Sequence, residues 1–239
     1  MKTLSGKILW LGFALALLSG CGPRLAKGSA SLELIPPDSL KAKFSLEIND
    51  SLEGSHTLSA VLFAVPYKRY RMEFSGPMGI GVASVLWQDA KWTLVLPQQK
   101  SFAVGSGFLV GGYAGIPLLD IHQIAGLFWG EVLPFGSSVD SLRDSLDGKI
   151  LYGKNRLGIP FEAFRNKDGR VEKMTQKHET LEFSNYAEFD SGEAPEWTRV
   201  FRKGKNVLSI KIKRVNTDVR WGDEIWRVPV PESYQKMGF

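Results

Sequence analysis

The chain has one cysteine, Cys21, and only three histidines, His56, His122 and His178. A single cysteine excludes an internal disulfide and leaves no thiolate cluster for a structural metal. His56 sits in "LEGSHT", which reads as a turn, and His122 lies off the apolar stripe of the central helix predicted below. His178 opens "HETLE", the start of a zinc-protease motif, but Glu182 stands where the second imidazole must be. The glycine-rich stretch 105–115, "GSGFLVGGYAG", lacks the Gly-Lys-Ser/Thr ending of a phosphate loop and the spacing of a dinucleotide fingerprint. It reads as a flexible connector. There is no Gly-x-Ser-x-Gly elbow. The expectation is a protein with no catalytic residues, no metal and no cofactor. A converging carboxylate pair or a Ser–His pair assembled by the fold would be the sign of a hydrolase.

Apolar runs of about 20 residues, long enough to span a bilayer as a helix, are also missing. The longest, Ile8–Leu18, follows Lys2 and Lys7 and ends in Leu18-Ser19-Gly20-Cys21. Small residues ahead of the only cysteine resemble the lipobox of bacterial lipoproteins. That resemblance implies a signal peptide over 1–20 and an acylated Cys21 as the first mature residue. One acyl chain binds membranes marginally, whereas the diacylglyceryl and amide-linked palmitate-type chains of a lipoprotein hold permanently. Gly22 stands where an Asp often signals inner-membrane retention in such proteins. The expected location is therefore the outer membrane, lipid-anchored and facing the periplasm.

Excess charge is scarce too. Without Lys2 and Lys7 the chain carries 28 basic against 25 acidic side chains. "FRKGKN" and "KIKR" read as the solvated face of a hairpin, so nucleic acid is not an expected partner. Residues 21–39 hold Pro, Gly and Ser without sustained periodicity and read as the acylated cysteine and its tether.

What the sequence has in quantity, over 40–239, is period-two alternation, the mark of half-buried antiparallel strands. Phe44, Leu46 and Ile48 share one face. So do Tyr70, Met72 and Phe74; Trp92, Leu94 and Leu96; and Leu208, Ile210 and Ile212. Further strands are predicted near 57–65, 82–88, 101–104, 148–152, 159–164, 170–175, 179–187 and 197–203, with turns at "NKDGR" and "RKGKN". Both faces of 57–65 are apolar, so its inward parity stays open. Helices are few: "IPLLDIHQIAGLFWG", with Pro117 near its start, Asp120 in the first turn and Gly130 past its end, and "SSVDSLRDSL" at 137–146. The expected fold is mainly β: one large, curved antiparallel sheet, a half-barrel, with helices covering its concave face. A sheet of that size must curl or split, and a curled one leaves room for an apolar cavity.

One turn is out of character. In "RYRMEFSGPMGIGVASVL" two strand-like runs flank Gly-Pro-Met-Gly, with a methionine at the tip where Gly, Asn or Ser is the ordinary residue. This hairpin, with "VASVLW", "SFAV" and the helix entered by "GIPLLDIHQIAGLFWG", resembles the LolB family of outer-membrane lipoproteins over 69–133. These belong to the LolA/LolB lipoprotein-carrier superfamily. In that family the strand ends in a projecting Pro-Leu-Gly loop whose leucine helps place the delivered lipoprotein into the membrane. Met78, between Pro77 and Gly79, stands at that position, and Ile80 adds to the same patch. Gly76 departs from the family, which commonly has a polar residue there. The tail "RVPVPESYQKMGF" runs past the usual end.

The resemblance implies a non-enzymatic, monomeric protein that accepts lipoprotein acyl chains from a periplasmic carrier of LolA type and passes them into the membrane. The acyl-chain cavity would involve Tyr70, Met72, Phe74, Trp92, Leu94, Leu96, Leu208, Ile210 and Ile212, either lining it or packing beneath the helices. Two alternatives remain: the same fold binding another lipid or hydrophobic envelope component, and a structural lipoprotein of an envelope complex.

Overall fold

The computed structural model describes residues 34–50, 54–110 and 119–238; the predicted signal peptide, Cys21 and most of the tether lie outside these residues. Six strands follow one another as an antiparallel meander: β1 (Leu40–Asp50), β2 (Gly54–Val65), β3 (Arg69–Ser75), β4 (Gly81–Gln88), β5 (Lys91–Leu96) and β6 (Ser101–Ser106). A short hairpin, β7 (Leu109–Val110) and β8 (Leu119–Asp120), leads into helix α1 (Ile121–Gly126), which continues as a 3-10 turn over Leu127–Trp129. A second meander runs through β9 (Ser138–Ser145), β10 (Gly148–Lys154), β11 (Pro160–Asn166), β12 (Val171–Gln176), β13 (Glu179–Phe189), β14 (Gly192–Arg202) and β15 (Lys205–Thr217).

Strand β15 pairs antiparallel with β1, which fuses the two meanders into one open, curved sheet. With β16 (Gln235–Lys236) it has 14 strands, in the order β16-β6-β5-β4-β3-β2-β1-β15-β14-β13-β12-β11-β10-β9. One face carries α1 and the apolar core. Its residues alternate large and small across the ladder: Phe74 pairs with Ala60, and Ala60 with Phe44. Trp92 lies so close to Gly105 on β6 that a Cβ there would come within 2.3 Å of the indole ring. Only glycine lets the two strands hold this pairing.

The open parity of 57–65 is resolved by the register. Ala60, Leu62 and Ala64 face the core, while Phe63 points to the opposite face and is covered there by the C-terminal segment. Trp221 meets Phe63 edge-on at 5.9 Å and Trp226 at 5.7 Å, and the Arg69 guanidinium lies 4.3 Å from the Trp226 ring. Arg71 Nη1 donates to the carbonyls of Ile225 and Arg227, at 2.7 and 3.0 Å. The tail is thus a strap across the back of the sheet, and its last strand, β16, pairs in parallel with β6.

Two helical expectations need correcting. Residues 138–145 form strand β9, paired with β10, not a second helix. Ser and Asp hold little intrinsic preference for helix interiors, and Val139 and Leu142 pack onto the core. The central helix starts at Ile121, four residues later than Pro117 implied, because Asp120 is its N-cap: Oδ1 accepts from the amides of His122 and Gln123 at 3.0 and 3.3 Å. Gly130 ends it with φ +82, as expected.

Candidate functional site

The β3–β4 hairpin ends in a single 3-10 turn, Pro77–Gly79. Gly76 N donates to Ile80 O at 2.9 Å, and Gly79 N to Gly76 O at 3.2 Å. The turn forces Met78 to φ +58, ψ +17, the left-handed region. An L-residue there costs about 1–2 kcal/mol, which glycine avoids. Met78 is nevertheless 94% exposed and Ile80 51% exposed, so no packing in the domain offsets that strain. Pro77 presets φ for the turn. Beside the tip lies a groove of about 620 Å³, bordered by Ser55, His56, Leu58, Pro77, Met78, Ile80, Val82 and Gln98. His56 therefore sits on strand β2 at the groove, not in a turn.

The nine apolar residues expected at the cavity, from β3, β5 and β15, come together on the α1 face. Tyr70 pairs with Trp87 and Trp87 with Trp92, so the three share a row; Met72, Val85 and Leu94 form the next. Phe44, Leu46 and Ile48 pair with Ile212, Ile210 and Leu208. Together with Phe74 and Leu96, all nine are at most 5% exposed and belong to one core cluster with Ile121, Ile124, Leu127 and Phe128 of the helical segment. Phe44 and Phe128 touch with ring centroids 4.9 Å apart.

Under the start of α1 lies a polar centre within this apolar surface. His122 is 3% exposed. Its ring stacks on Phe135 at 4.4 Å and meets Trp87, Phe108 and Tyr70 at 4.8, 4.9 and 5.1 Å. The Tyr70 hydroxyl lies 3.0 Å from His122 Nδ1 and accepts the Tyr67 amide at 2.7 Å. Tyr67 in turn donates to Glu131 Oε2 at 2.6 Å, as does Trp129 Nε1 at 3.0 Å. Arg156 donates to Asp120 Oδ2 at 3.1 Å and lies 3.5 Å from the Phe108 ring centroid. Burial, reinforced by the Arg156 charge, lowers the His122 pKa to about 4, so the imidazole is neutral. Burial pushes the phenols of Tyr67 and Tyr70 well above their ordinary range.

Neither a family model nor a curated protein matches the chain. Solved structures do. A DUF1329 family protein from Desulfovibrio piger is 13% identical with a TM-score of 0.58, covering 82% of this chain and 92% of its own. A LolA superfamily protein from Nitrosomonas europaea is 10% identical with a TM-score of 0.55, covering 81% and 92%. A putative outer membrane lipoprotein-sorting protein domain from Vibrio parahaemolyticus is 9% identical with a TM-score of 0.53, covering 79% and 88%. The fold is LolA/LolB-like.

Within this LolA-like sheet the alternating strands were legible as a shared face, and the tip as an exposed one. The polar centre was missed. His122 lies off the apolar stripe of α1, yet it is buried because Phe108 and Phe135, from the segments before and after the helix, close over its second side. Nothing local to "DIHQIAG" signals that cover. Asp120 caps the same helix, but Arg156 comes from a separate segment and Glu131 joins through Tyr67, so only the tertiary fold completes the centre.

Two further grooves border the fold, one of about 620 Å³ between β11–β14 and one of about 260 Å³ at the end of the helical segment beside Leu34 and Ile35. Neither these nor the groove at Met78 is lined by the nine core residues. Among the described residues no group of three His, Cys, Asp or Glu side chains is placed to hold a metal, and no helix is long and apolar enough to cross a membrane. Among the described residues, no serine or carboxylate hydrogen-bonds to the His122 imidazole.

Proposed function

We propose that this protein, anchored in the outer membrane through acylated Cys21, accepts lipoprotein acyl chains from a periplasmic carrier of LolA type and passes them into the bilayer. The reading is supported by the LolA/LolB-like fold and carried by one observation: Met78 keeps a large apolar side chain in water, on backbone that favours glycine. Burying such a side chain is worth roughly 1.5–3 kcal/mol. That is too little to anchor a domain, but enough to orient one already tethered to the lipid surface. Pro77 shapes the tip and Ile80 widens its apolar contact.

The nine buried residues provide the acyl-chain face. Since α1 and its flanking aromatics cover them in this structure, uptake of a chain requires the helical segment to lift from Tyr70, Met72, Phe74 and their neighbours. Transfer then follows affinity for the same hydrocarbon, without nucleotide hydrolysis or covalent chemistry. The decisive experiment is Met78→Glu in the anchored protein: folding should be unchanged and lipoprotein delivery to outer-membrane vesicles lost. Delivery at the wild-type rate would remove the tip from the mechanism.

A further inference from the structure

Two donors in the polar centre lack acceptors. The Tyr70 hydroxyl already accepts the Tyr67 amide, so its own hydrogen is free to go to His122 Nδ1. Giving that hydrogen the acceptor it faces assigns the imidazole proton to Nε2, which is buried and has no partner. Arg156 gives Nη2 to Asp120, but its Nη1 is likewise buried and unpaired. A buried N–H without an acceptor has surrendered its hydration for nothing and calls for an occupant. The two donors belong to one place. Both the imidazole and the guanidinium lie against Phe108, at 4.9 and 3.5 Å, and against Phe135, at 4.4 and 5.1 Å.

Charge selects the occupant. Asp120 already balances Arg156, and His122 is neutral, so a second anion beside the Asp120 carboxylate would be buried without a matching cation. A neutral oxygen acceptor fits, and the aromatic walls suit hydrocarbon on either side of it. Two donors match the two ester carbonyls of a diacylglyceryl group. We infer that His122 Nε2 and Arg156 Nη1 hold the ester carbonyl oxygens at the glycerol end of a diacyl ligand, so that the site recognises the acyl linkage as well as the chains. This inference rests on the lipid-binding reading above and specifies its polar contacts.

The test compares dioleoylglycerol with its diether analogue, which has the same chains and no carbonyl, on the full chain in a detergent that itself lacks carbonyls. The wild type should bind the diester about tenfold or more tightly than the diether. In His122→Phe, Arg156→Met and the double variant that preference should fall toward one, with diether affinity retained. Equal wild-type affinity for the two lipids would overturn the carbonyl contacts while leaving the lipid-binding reading intact. No binding of either would overturn both. Tighter binding of oleate than of the diester would show an anion site and overturn the neutral acceptor. A variant that weakens both lipids alike would assign its residue to packing and overturn its role as a donor.

Discussion

The Tyr70 hydroxyl, on the third strand, lies 3.0 Å from Nδ1 of His122 on the only helix described, joining residues 52 apart in sequence. The same hydroxyl accepts the Tyr67 amide at 2.7 Å. One oxygen therefore ties the helix and the β2–β3 turn to the sheet. Tyr70→Phe keeps the ring and strands both partners. It should lower stability by about 1–3 kcal/mol. A calorimetric melting temperature equal to that of the wild type would show that the tie carries no load.

The pH dependence follows from His122. Its pKa is lowered to about 4 by burial and by Arg156, against about 6.5 in an unfolded chain. Between those values the unfolded chain binds a proton that the folded one excludes, so stability rises with pH. The contribution is complete above about pH 6.5 and is lost as pH falls toward 4, on the order of 3 kcal/mol in all. Asp120 acts in the opposite direction: burial raises its carboxyl pKa, against the lowering effect of Arg156 and the capped amides, so it favours the folded state as pH falls. Urea unfolding of wild type and His122→Phe across pH 4–7 isolates the histidine. The difference between the two curves should change over that interval; parallel curves would reject the assignment.

At the tip, stability and function should separate. Met78 stands at φ +58, where glycine is at ease. Met78→Gly should therefore leave stability unchanged or raise it by up to about 1 kcal/mol, yet reduce lipoprotein delivery as Met78→Glu does. A loss of stability would mean that the methionine packs in solution.

The tether emerges at the far end of the strands from that tip. Leu40 opens β1 opposite Ala64, whereas the groove at Met78 is bordered by Ser55 and Leu58, the partners of Asn49 and Leu46. Along β1 this is about 20–30 Å at the rise of a strand. Ser39 Oγ donates to the Val219 carbonyl and Leu34 lies beside Gly130, so residues 21–33 set the reach. That is about 45 Å when extended, enough for the tip to meet the membrane under the anchoring proposed at Cys21. Deleting residues 24–33 leaves only residues 21–23, about 10 Å of reach. Delivery by the anchored protein should fall sharply while lipid binding in detergent persists. Delivery that survives the deletion would mean that the tip acts on some other surface.

Much of the sheet was readable because an antiparallel strand with one covered face must alternate, and most of these strands do. Failures came where alternation stopped carrying information. In β2 both faces are apolar because Phe63 packs beneath a strap from the other end of the chain. In β9 the sparse apolar residues fit either period, and pairing with β10 decided. Met78 could be read as exposed because nothing in a four-residue turn can bury it. His122 could not be read as buried, because its cover comes from two separate segments.

The amino-acid sequence alone determined most of the strands, the inward residues of those that alternate and the apolar tip, since each depends on neighbours within a few positions. Tertiary structure alone decided how the two meanders join at β1 and β15, where the C-terminal strap runs, and that His122 and Arg156 share a buried centre with donors to spare. Those facts depend on contacts between distant segments, and no local pattern encodes a partner that the chain meets only after folding.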